Sequence, residues 1–271
     1  MAPTEWDVAV VGGGPAGCSA GVFTSRDGLD TVVFDRGRSS IKRCAHLENY
    51  LGFPAGIDVD TFYGLMHDHA EAAGCAIVDD LVESVTETTD GRFRVEPQEG
   101  DPVTAERVVA ATRYDAEYLR DLDDGGAMFE TYEHDGEEHE RFDREYPDRD
   151  GTTPIDGLYV ASPSDEADTQ AIMAAGRGAR VAHRVVADAR VDDGWWDEVA
   201  EGVDWMRREA SLDEEWADRE RWTEWFDEYY GDDAPIDPDS ERFERVRETY
   251  IDEQLSTYLS PEAIHERSHA G

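Results

Sequence analysis

Lysine and asparagine are almost missing from this 271-residue chain: Lys42 is its one lysine and Asn49 its one asparagine. Cations of any kind are scarce. The 25 basic residues face 65 acidic ones, a formal charge of −40. A field of that sign repels nucleic acid and anionic membrane surfaces, so neither is expected as a partner. Cysteine is sparse as well. Cys18, Cys44 and Cys75 are odd in number and lack a CxxC spacing, which excludes a disulfide framework. No apolar run approaches the length of a membrane span. Met1-Ala2-Pro3-Thr4-Glu5 carries neither a basic nor an apolar leader pattern, so a soluble, cytoplasmic protein is expected. There is no GxSxG and no zinc-ligand spacing, and no metal site is expected. His67 and His69, two apart on a helix, face different ways and do not pair on a metal. His134, His139, His265 and His269 are expected to be solvated.

What is present is patterned. Hydrophobic residues make up 39% of the chain and collect in strand-like and helix-like runs, so the acidity does not imply disorder. Asp7 to Val11 (DVAVV) reads as a buried parallel strand, Ala16 to Arg26 as a helix, and Thr31 to Asp35 (TVVFD) as a second buried strand. This strand–turn–helix–strand order opens a doubly wound α/β fold. Asp60 to Ala73 reads as a helix. Ala76 to Glu87 and Arg92 to Glu96 alternate like antiparallel strands, and Arg107 to Ala111 is a further short strand. Between residues 120 and 153 periodicity collapses into an acidic loop or excursion. Order returns with a strand at Gly157 to Ala161 and a helix from Thr169 to Ala189. After Asp192 the composition changes: six of the seven tryptophans lie between Trp195 and Trp225. Trp195, Val199, Val203 and Met206 share one helical face, as do Trp222, Trp225 and Phe226. Asp239 or Ser240 is placed to cap a further helix through Tyr258. The expected organisation is a domain over 1–190, with 120–153 as an acidic insertion, and a Trp-rich helical extension over 191–271. Its aromatic stripe serves either packing against the core or partner docking.

Gly12-Gly13-Gly14-Pro15-Ala16-Gly17 is a GxGxxG motif that follows a strand, opens a helix and precedes a second strand ending in Asp35. That context is the one a dinucleotide site requires. Gly12 permits the tight turn, Gly14 lets the backbone approach a pyrophosphate, and Gly17 lets helix and strand pack closely. The helix N-terminus, where Pro15 and Ala16 lie, offers the unpaired N–H groups of its residues other than proline and a positive dipole end. Asp35 is the expected acceptor for a ribose hydroxyl.

Four stretches carry a resemblance: DVAVVGGGPAG at Asp7–Gly17, ENYLGFP at Glu48–Pro54, VAAT at Val109–Thr112, and GLYVA followed by QAI and AAG between Gly157 and Gly176. In this order they resemble the FAD domain of thioredoxin reductases over about residues 5 to 190. The resemblance implies a three-layer Rossmann-type FAD/NAD(P)-binding domain with a central parallel sheet, FAD as cofactor, and oxidoreductase activity. It places Arg36, Ile41, Asn49, Thr112, Ser162, Gln170 and Ala171 around the cofactor, with Asn49 against the flavin and the helix from Thr169 pointing at its pyrimidine edge. Lys42 and Cys44 lie in the flavin loop and are the catalytic candidates. A cation at Lys42 favours the anionic reduced flavin; the alternative is a surface lysine without a role. Cys18 and Cys75 are read as small packing residues.

Three departures set limits. No second GxGxxG is present, and the segment from Leu119 to Thr153 is too short for the family's nicotinamide domain. The family's CxxC, which lies in that domain, is absent. The family's AGD reads Ala161-Ser162-Pro163 and the glycine of its ATG is Arg113; Pro163 has no N–H to offer, so Ser164 or Asp165 is the expected substitute. The expected function is an FAD-dependent oxidoreductase supplied with electrons by a small-molecule or protein redox partner, with a homodimer left open. The alternative is a non-catalytic FAD or adenine-dinucleotide binding or sensing module acting through the extension. The bias toward Asp, Glu and Arg resembles the cytosolic proteins of salt-in halophilic archaea; an acidic partner-binding surface is the other reading.

Overall fold

In a computed structural model, the described residues are 4–114, 116–134, 136–165, 170–202, 214–231, 234–256 and 260–268. The first strand, β1 (Glu5–Val11), runs into the glycine turn and α1 (Pro15–Arg26). Pro15 sits in the first helical turn, where its missing N–H costs nothing. β2 (Thr31–Phe34) is buried along its length. A 3₁₀ turn (Ser40–Arg43) and a two-stranded ribbon, β3 (His46–Leu47) with β4 (Ile57–Asp58), lead to α2 (Val59–Ala73). Asp58 caps α2 by accepting the Thr61 N–H at 2.9 Å, and Gly74 ends it at φ 113°.

β5 (Ala76–Val78), β6 (Val82–Glu87), β7 (Phe93–Pro97), β8 (Val103–Ala111) and β11 (Leu158–Ser162) complete the main sheet. Its parallel part runs β5-β2-β1-β8-β11. β8 is shared: its first half pairs antiparallel with β7, its second half parallel with β11. Alternation along the strands separates two cores. Val8, Val10, Val33, Val109 and Tyr159 face α1 and α3 (Ala171–Asp192). Ala9, Val32, Val108, Leu158 and Val160 face the β6–β7–β8 meander with Leu119, Met128 and Phe142. The expected three-layer α/β architecture is therefore present.

Two expectations are corrected. Ala76–Val78 is not antiparallel: it pairs parallel with β2, Val33 opposite Ile77, because the crossover through α2 delivers it to that edge. Residues 120–153 are not a structureless excursion. They carry a hairpin, β9 (Phe129–His134) with β10 (Glu137–Phe142), and Gly136 in its turn has φ 81°.

The chain forms two compact units, Met1–Val186 and Ala187–Gly271. The second contains α4 (Asp197–Ala200), α5 (Arg219–Phe226), α6 (Glu241–Ser256) and α7 (Pro261–Ser268). Its aromatic stripe builds a core of the unit's own, where Trp196 stacks on Phe243 at 5.5 Å and Phe226 lies 5.3 Å from Tyr250. Ser240 is the residue that caps α6, through the Phe243 N–H. Val203, Met206, Thr169 and Tyr258 lie outside the described residues.

Candidate functional site

A cavity of about 500 Å³ opens at the C-terminal ends of β1, β2 and β8. In parallel sheets this edge is where ligands bind. The glycine turn forms its floor. Gly12 adopts φ 118°, and a Cβ there would meet the Ala111 carbonyl oxygen at 2.6 Å. Gly14 is the N-terminal cap of α1 and has no side-chain cap, so the first-turn N–H groups have no side-chain partner there. Gly17 does not line the cavity; a Cβ on it would stand 1.7 Å from the Gly12 carbonyl oxygen, which is the close helix–strand contact read from the motif.

Of the remaining expected residues, Pro15, Ala16, Asp35, Arg36 and Ile41 line this cavity. So do Cys44, Thr112, Ser162, Gln170 and Ala171. Lys42 and Asn49 do not. Asn49 donates to the Gln170 side chain at 2.6 Å and so ties its loop to the residue before α3. Lys42 turns away, its Nζ 4.1 Å above the ring of Tyr63. Arg113 reaches along the rim to Ser40 Oγ at 3.5 Å and lies 4.9 Å from the Tyr114 ring. Neither Ser164 nor Asp165 lines the cavity: Ser164 is buried, and Asp165 is exposed, 3.9 Å from Arg144.

Sequence reasoning missed Tyr63 and His67. The Nε2 of His67 lies 3.1 Å from the Gly13 carbonyl and 3.3 Å from Asp35. The i, i+4 spacing of Tyr63 and His67 on a predicted helix was the available signal. Arg38, Arg43 and Leu81–Glu83 also line the cavity without having been singled out. Among the described residues, no cluster of three His, Cys, Asp or Glu side chains is arranged for a metal, and no helix is long and apolar enough to cross a membrane.

The three thiols differ. Cys18 is buried under the glycine turn with its Sγ 3.3 Å from the Gly13 carbonyl. Burial, then the charge of Asp35, pushes its thiol up to about 12. Burial also raises Cys75, whereas Cys44 is exposed. Because only the thiolate attacks, iodoacetamide at neutral pH is expected to label Cys44 alone in the native protein and all three after unfolding. Rapid labelling of Cys18 would contradict the buried placement. The same shifts predict alkaline sensitivity. Burial raises Tyr63 as well as Cys18 and Cys75, so their contribution is complete below about pH 9 and is lost as the pH rises past the unfolded thiol value. A melting temperature that falls steadily above pH 9 is the expected result; a flat profile would contradict it.

No family model matches the sequence. Thioredoxin reductase of Rickettsia conorii is 29% identical over 114 residues, 41% of this chain and 36% of that protein. NADPH-dependent thioredoxin reductase 3 of Arabidopsis thaliana is 31% identical over 120 residues, 42% of this chain and 22% of that protein. The chain is similar to thioredoxin reductases. It spans about a third or less of the length of these curated relatives. Among solved structures, a thioredoxin reductase from Gloeobacter violaceus superposes with a TM-score of 0.55 at 15% identity, covering 75% of this chain and 98% of its own. The atypical thioredoxin reductase TRi from Desulfovibrio vulgaris Hildenborough gives 0.54 at 18%, with 69% and 99% covered. At such identities the structural likeness is one of fold.

Proposed function

We propose that this chain binds FAD in the cavity at the ends of β1, β2 and β8 and acts as an oxidoreductase of the thioredoxin reductase type, with electrons supplied by a protein or small-molecule partner. One observation carries the reading. The uncapped N-terminus of α1, the carboxylate of Asp35, and the Gln170–Ala171 start of α3 line a single cavity. A dinucleotide needs these three features: N–H donors for the pyrophosphate, an acceptor for the ribose, and a positive helix end at the far side.

The residues fit the group. No side chain fills the turn at Gly12–Gly14, where a Cβ would strike Ala111, Asp35 or Ser39. When bound, FAD supplies redox chemistry that the side chains alone do not. The chain's own part is to hold and tune. Gly14 and Ala16 present N–H groups to phosphate, Pro15 between them having none, and Asp35 orients the ribose. Ile41 and Ala171 belong to one apolar cluster beside the cavity and keep water from that side. Cys44 lines the same cavity and is the one exposed thiol among the three cysteines.

Only one GxGxxG is present and no CxxC, so direct oxidation of NADPH by this chain is not part of the proposal. The test is anaerobic reduction of the FAD-loaded protein. Dithionite is expected to bleach the flavin, and NADPH alone is expected to leave it oxidised over minutes. Rapid bleaching by NADPH would contradict the separate electron source. A flavin that resists both reagents would favour a non-catalytic module instead.

A further inference from the structure

The carboxylate of Asp35 is held from below before any ligand arrives. It is buried, at 5% exposure, so its charge must be met by donors. Oδ1 accepts the Gly37 N–H at 3.0 Å. Oδ2 accepts the Tyr63 hydroxyl and lies 3.3 Å from His67 Nε2. That same Nε2 lies 3.1 Å from the Gly13 carbonyl oxygen. Both neighbours of Nε2 are acceptors, so it carries the proton and donates. A carboxylate offers about four acceptor positions. Two are taken by hydrogen bonds, one on each oxygen, and His67 Nε2 stands beside Oδ2 as well, which leaves the open position on Oδ1.

Tyr63 and His67 are one turn apart on α2, and their rings meet at 4.5 Å. On the other side Lys42 Nζ sits 4.1 Å above the Tyr63 ring. The one lysine of the chain therefore supports this arrangement instead of lining the cavity. Its neighbours Ile41 and Arg43 do line it.

We propose that Tyr63 and His67 are positioning residues for dinucleotide recognition: they lock Oδ2 of Asp35 and the Gly13 carbonyl in one frame, so that Oδ1 is presented to the 2′-hydroxyl of the adenosine ribose, with Lys42 bracing Tyr63. This rests on the cavity being an adenine-dinucleotide site. The frame joins the glycine turn to the end of β2, so the phosphate-binding and ribose-binding halves are held in a fixed relation. Tyr63 contributes the O–H bond, His67 the bridge to Gly13, and Lys42 a cation over the ring.

The test uses ADP and 2′-deoxy-ADP as probes, titrated by calorimetry into the full chain in concentrated KCl. Wild type is expected to prefer ADP by about 10-fold, the effect of one hydrogen bond to a charged acceptor. In Tyr63→Phe and His67→Ala, ADP affinity is expected to fall about 10-fold and the preference to drop below about 2-fold, because Asp35 loses its orientation. His67→Gln, whose amide N–H reaches toward the same two oxygens, is expected to restore most of the preference. Lys42→Met is expected to weaken ADP by about 2- to 5-fold. A merely structural role would weaken both probes equally and leave their ratio intact; that result would overturn the inference. A wild type without preference, or one that binds neither probe, would overturn it too. ADP lacks the flavin, so a protein that shows the expected ratios but takes up no FAD contradicts the FAD proposal and leaves this one standing.

Discussion

Gly17→Ala is expected to abolish dinucleotide retention and to destabilise the first unit by about 3 kcal/mol, the upper end of the range for overpacking. The added Cβ would stand 1.7 Å from the Gly12 carbonyl oxygen, so either the helix or the turn must move. Neither has room. Gly12 donates its N–H to the Phe34 carbonyl at 2.8 Å, and its own Cα faces the Ala111 carbonyl. α1 is held against the sheet by Ala16 and Ala20, both buried. The displacement falls on the turn that presents N–H groups to the cavity, so binding and stability are lost together. Gly176→Ala is the control. It lies on α3, is exposed, and a Cβ there would meet nothing within 4 Å. It is expected to leave binding unchanged and to gain up to about 1 kcal/mol from helix propensity. Urea unfolding of both variants, read beside FAD uptake, checks the pair. A Gly17→Ala protein as stable as wild type and still binding would contradict the packing described for the turn.

Arg177→Ala carries the second large effect. Arg177 sits on α3 and is 5% exposed. Its guanidinium donates to three backbone carbonyls, those of Asp148 at 3.0 Å, Val160 at 3.3 Å, and Arg149. These belong to the segment before β11 and to β11 itself. The same segment is tied down by Gly151, whose N–H reaches the Asp148 carbonyl at 2.9 Å and whose carbonyl accepts from Val160 at 2.8 Å. Removing the guanidinium takes a donor from the buried Val160 carbonyl and leaves a void, an expected loss of about 1–3 kcal/mol. Arg177→Lys keeps the charge without the planar fork and is expected to fall between the two. Ser162, two residues beyond Val160, lines the cavity, so cofactor affinity is expected to weaken as well. A loss under about 1 kcal/mol in urea unfolding would show that this arginine does not anchor the segment.

The parts of this fold that were legible in the sequence are those whose physics is local. β1, the glycine turn, α1 and β2 follow from two apolar runs around a motif in which each glycine has a steric reason. The parts that were not legible depend on contacts across the chain. The hairpin of β9 and β10 is rich in charge, with most of its residues exposed, so no apolar alternation marks it. A local signal is Gly136 in the turn, hidden in an acidic background. Ala76–Val78 reads as a strand of either sense, because three residues do not reveal which neighbour they will meet. Lys42 was conspicuous by rarity, and rarity did not reveal the direction of its side chain, which lies over the Tyr63 ring. The spacing of Tyr63 and His67 put them on one helix face but did not mark them as site residues, because their partner, Asp35, lies on another element. Salt adaptation and the acidic surface rest on composition alone.

The measurement that tests the central proposal most directly is the visible absorbance spectrum of the protein purified in concentrated KCl, followed by chromatography of what denaturation releases. Two flavin bands, with FAD released in a ratio near one per chain, are the predicted result. A colourless protein that takes up no added FAD would contradict it, and the cavity at the ends of β1, β2 and β8 would then have to serve another ligand.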